Sequence, residues 1–73
     1  MPQKDVPRTG RELSEWAVKN RNDLGKGTSQ DLQEIADSAG RDKINLSSSD
    51  LGNLLNPGAS ASIINRLRRD IGI

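Results

Sequence analysis

Asn65, Arg66, Arg68 and Arg69 fall within one short stretch, SASIINRLRRD, residues 60–70. Arg carries a planar fork of donors that matches a guanine edge, and Asn pairs a donor with an acceptor to match adenine. Ile63, Ile64, Leu67 and Ile71 are spaced to face inward on a helix. That spacing leaves Ser60, Ser62, Asn65, Arg66 and Arg69 facing largely outward. Immediately upstream, Ser48–Leu55 reads as a two-turn helix and Asn56-Pro57-Gly58-Ala59 as a turn. A helix-turn-helix places its second helix in the major groove in this way. Arg68, together with Lys4, Arg8 and Arg11, would then meet phosphates, the salt-sensitive part of such binding. The expectation is a small DNA-binding regulator, working as a homodimer so that two half-sites add their affinity.

A second reading stands beside it. The supporting helix is short, and Asp50 and the acidic stretch before it would repel phosphate. The arginines would then be a solvated face. The chain would be a protein-interaction module, or an excised domain of a larger assembly, with a protein partner and no nucleic-acid role.

Other chemistry is narrowly bounded. There is no Cys and no His, so there is no thiolate nucleophile, no imidazole base and no zinc set. No stretch has the alternating acids of a calcium loop. Glu12 and Glu15 lie one helical turn apart, but so small a chain has little room for a pocket that would raise a carboxylate pKa. Neither an enzyme nor a cofactor or metal is expected. Gly25-Lys26-Gly27-Thr28-Ser29 is a glycine-rich turn before a helix, a place where an anion can sit. It lacks the order and the preceding strand of a P-loop, and its plainer use is to end one helix and cap the next. Ser47-Ser48-Ser49 would accept phosphate at a helix start, though capping explains it equally. Asp31, Glu34 and Asp37 share one face that would dock a basic partner or simply be solvated.

Charge is nearly balanced but unevenly placed. The 73 residues hold 11 Lys and Arg against 10 Asp and Glu. Residues 1–27 carry six basic and four acidic side chains, residues 28–50 two and five, residues 51–73 three and one. Basic ends and an acidic middle disfavour a general polyanion binder and permit a local basic face. No apolar run is long enough for a membrane span, and MPQKDVPRTG has no secretory leader pattern. An interfacial membrane helix at 60–71 is disfavoured by Asp70 and by the lack of an aromatic anchor. The absence of Cys fits a reducing compartment, and a cytoplasmic location is expected.

The elements that must position these residues follow from one repeated pattern. Thr9-Gly-Arg-Glu12, Thr28-Ser-Gln-Asp31 and Ser47-Ser-Ser-Asp50 are each followed by apolar residues at helical spacing. A hydroxyl and an acid three residues on form a capping box, which starts a helix. A fourth start is expected at Ser60 without the acid. The boxes lie 19 residues apart, which compact helical domains show without any true repeat. Asn22, Gly25, Gly27, Gly40, Pro57 and Gly72 are stop signals. Helices are predicted over 10–22, 29–39, 48–55 and 60–70.

The fold expected is all-α: a compact bundle of four short helices with a helix-turn-helix-like C-terminal half. Residues 1–8 read as a flexible arm and 9–73 as one domain. Lys43–Leu46 is extended-looking but has no strand partner, so no sheet is expected. The predicted core is Leu13, Ala17, Leu24, Leu32, Ile35, Ala36, Ile44, Leu46, Leu51, Leu54, Leu55, Ile63, Leu67 and Ile71, around a central Trp16.

Overall fold

A computed structural model describes residues 6–73. It is all-helical, with no strand among the described residues. The elements are α1 (Gly10–Lys19), α2 (Arg21–Leu24), α3 (Lys26–Ala39), α4 (Ser48–Leu54) and α5 (Ser60–Ile71).

Two of the three capping boxes behave as their sequence implies. Thr9 accepts from the Glu12 N–H at 3.2 Å, and the Glu12 carboxylate accepts from the Arg8 N–H at 2.8 Å. Ser47 and Asp50 make the complete reciprocal pair. The third box does not form. Gly25, with φ of 86°, turns the chain so that α3 begins at Lys26, and Thr28 lies inside the first turn. A hydroxyl cannot cap from there, because the cap position lies outside the helix. The predicted first helix also divides. The backbone leaves helical geometry at Asn20, whose side-chain amide donates to the Trp16 carbonyl at 2.9 Å, and α2 is a separate single turn.

α1 and α3 form an antiparallel pair, clamped at both depths. Near the middle, Ser14 Oγ donates to Gln33 Oε1 and Gln33 Nε2 donates to the Ser14 carbonyl. At one end the first amides of α1 meet carbonyls beyond α3. Gly10 N donates to the Asp42 carbonyl and Arg11 N to the Gly40 carbonyl. The Ile44 N–H returns to the Arg8 carbonyl, and Thr9 and Lys43 form a lone antiparallel bridge. Orphan donors of one helix are thereby satisfied by the chain leaving its neighbour.

This closeness depends on small residues. A Cβ at position 10 would lie 2.6 Å from the Ala36 carbonyl oxygen and 2.8 Å from Ala39 Cβ, so only glycine fits. Ala17, Ala36 and Ala39 are buried in the same region. An indole has no room there. Trp16 therefore packs on the rim of the core, partly exposed, instead of at its centre.

The core is Leu13, Ala17, Leu24, Leu32, Ile35, Ala36, Leu54, Ile63, Ile64 and Leu67. Ile44, Leu46, Leu51 and Ile71 join Trp16 at its edge. Leu55 closes α4 as its C-cap and is exposed. α5 packs against α3 on one side and α4 on the other. Residues 1–5 of the expected arm lie outside the described residues. At 6–8 the chain is held, with Pro7 buried and the Arg8 backbone bonded through both its N–H and its carbonyl.

Candidate nucleic-acid interface

The turn between α4 and α5 is built by Asn56. Its side-chain oxygen accepts from the Gly58 N–H at 3.1 Å, and its carbonyl accepts from Ala59 and Ser60. Pro57 prevents α4 from continuing. α5 then runs to Gly72, whose left-handed φ of 79° lets its N–H return to the last carbonyls.

Three of the residues expected on the outer face of α5 are there. Ser62, Asn65 and Arg69 are exposed and lie along one side of the helix. Ser60 is a correction. It is buried, only 7% exposed, because the tight turn folds the first residue of α5 against the core.

Arg66 is half-buried and committed to the fold. Its Nη2 donates to Asp50 Oδ2 at 3.0 Å and to the Asn45 carbonyl at 2.6 Å, and Nη1 donates to Asp50 Oδ1 at 3.2 Å. The fork grips the carboxylate with both nitrogens, the strongest geometry for such a pair. Nε is buried with no hydrogen-bond partner and stands 4.0 Å from Asp70 Oδ2. Asp50 meanwhile accepts from the Ser47 N–H as the acid of the capping box. The Arg66 hydrogen bond holds the Asp50 carboxyl below the usual carboxylate range, against the opposing effect of partial burial, and the Ser47 backbone N–H adds to it. Asp50 in turn raises the Arg66 pKa.

Arg68 is likewise tied back. Its Nη2 reaches Asp31 Oδ1 and Glu34 Oε1, each at 3.2 Å. Two of the three acids on α3 thus hold α5 in place, and only Asp37 of that trio is left without such a contact among the described residues. Asp50, expected to repel phosphate, is largely neutralised by Arg66.

Arg8 and Arg11 are exposed at the start of α1, and Lys4 lies outside the described residues. The junction of α1 with the segment after α3 adds two cations that sequence reasoning missed. Arg41 and Lys43 are exposed, and the backbone bonds at residues 8–11 and 40–44 bring them beside Arg8 and Arg11. Glu12 and Asp42 lie among them. Residues about 30 positions apart carry no sequence signal that they will meet. The same segment passes directly to α5 through the Asn45–Arg66 contact.

Among the described residues no group of His, Cys, Asp and Glu is placed to hold a metal ion, and no helix is long and apolar enough to cross a membrane. Comparison with protein-family models, with curated proteins and with solved structures returns no match.

Proposed function

We propose that this chain is a DNA-binding regulator that lays the outer face of α5 in the major groove. The observation that carries the reading is the division of labour on α5. Ser62, Asn65 and Arg69 face solvent, while Arg66 and Arg68 fasten the helix to α4 and α3. A reading helix must be held rigidly by contacts other than those it makes to bases. Asn65 and Arg69 have the donor patterns for adenine and guanine edges. Arg66 and Arg68 become positioning residues, not base or phosphate contacts. Arg8, Arg11, Arg41 and Lys43 supply phosphate contacts beside the reader.

The protein acts in the cytoplasm as a homodimer on paired half-sites, because one domain this small offers limited affinity. The test is a two-dimensional NMR titration of the labelled chain with a short random-sequence duplex, at low and then moderate salt. Shifts that weaken with salt and concentrate at Ser62, Asn65, Arg69 and the α1–α3 junction support the proposal. An unchanged spectrum at low salt refutes it and redirects the search to a protein partner, for which the balanced net charge is suited.

A further inference from the structure

At the corner of α2 and α3 lies an open hollow of about 470 Å³, lined by Arg21, Asn22, Gly25, Lys26, Ser29 and Gln30. It plays no part in the α5 reading. The start of α3 faces it without compensation. No side chain caps this helix, and no acid occupies its first turn. Among the described residues, no acceptor meets the N–H groups of Lys26, Gly27 or Thr28. Positions 25 and 27 have open space where a Cβ would stand, so the backbone there is bare.

Two further features point to a ligand. Ser29 is buried, 7% exposed, yet lines the hollow, and its hydroxyl has no partner among the described residues. A buried polar group without a partner is uncommon, and this one opens onto the hollow. Arg21 and Lys26 stand on its wall, and neither forms an ion pair among the described residues. Asp23, the nearest acid in sequence, is not part of the lining.

We infer that this corner binds a phosphoryl group. Three backbone N–H groups, one hydroxyl and two cations surround a single concavity. That donor set suits an oxyanion with three terminal oxygens, at the positive end of a helix dipole. The glycine-rich turn thus has a use beyond ending one helix. The phosphoryl group belongs either to a phosphorylated small molecule or to a nucleic-acid backbone.

The experiment titrates the full chain with inorganic phosphate, using chloride at matched ionic strength as the control, and follows backbone amides. Saturable shifts at Lys26, Gly27, Thr28 and Ser29 are expected. R21A and K26A should each weaken the apparent affinity about tenfold, the loss of one charged contact. Both side chains are exposed, so the fold should survive, and S29A offers a third, uncharged probe. A short duplex then identifies the source. Shifts of the same amides by duplex, displaced by phosphate, assign the site to nucleic-acid backbone. Duplex that leaves them unmoved, while phosphate binds, assigns it to a small phosphorylated ligand. Phosphate that moves these amides no more than chloride does, or that titrates R21A and K26A like the parent, overturns the inference. None of these outcomes depends on whether α5 contacts DNA.

Discussion

Asp50 performs two tasks with one carboxylate: it completes the cap of α4 and receives the guanidinium of Arg66. Its lowered pKa sets the sign of a pH effect. The unfolded chain binds a proton at Asp50 near the ordinary carboxylate value of about 3.9, before the folded protein does. The contribution is therefore complete above that value and is lost as pH falls through it toward the lower folded pKa. Urea melts of D50N should show a shallower loss of stability across that acid window than the parent. S47A, which removes only the hydroxyl half of the box, should cost about 1 kcal/mol at neutral pH. Gly10 gives a sharper prediction. G10A places a methyl against the Ala36 carbonyl and should destabilise by about 1–3 kcal/mol or more, read from the same melts. At this scale the sequence was legible where the chemistry is local. The hydroxyl and acid at 9 and 12, and at 47 and 50, announce their helices. Thr28 and Asp31 carry the same letters, but the backbone freedom of Gly25 starts α3 earlier. The need for glycine at position 10 is invisible without α3 beside it.

α5 shows how an amphipathic pattern predicts a face but not its partners. The apolar residues Ile63, Ile64 and Leu67 turn inward as their spacing implies. Which arginines remain exposed depends on acids supplied by other helices, and Asp31, Glu34 and Asp50 lie 16 to 37 positions away. Arg66 and Arg68 differ in what their loss should do. R66A leaves the Asp50 carboxylate, whose side chain is only 15% exposed, without its main partner. A cost of about 1–3 kcal/mol is expected. R68A breaks contacts to two more exposed acids and should cost no more than about 1 kcal/mol. R69A should leave the melt unchanged, since this side chain makes no contact of that kind among the described residues.

The whole molecule combines a near-neutral charge with a local concentration of cations. Arg8, Arg11, Arg41 and Lys43 meet only because α1 packs antiparallel on α3. If these four contact phosphate, removing one should lower the slope of log affinity against log salt by about 0.9. R41A and K43A test this directly, because neither position stands out in the sequence. The all-helical architecture was legible from caps and glycines. The junction was not, because it joins the first helix to the loop after the third.

The measurement that bears most directly on the account is duplex affinity for R68A and R69A, with stability followed in parallel. The account predicts that R69A loses binding with an unchanged melt, while R68A binds nearly as well as the parent with at most a small loss of stability. Equal binding by R69A and the parent, or loss of binding in R68A alone, would contradict the assignment of Arg69 as reader and Arg68 as fastener.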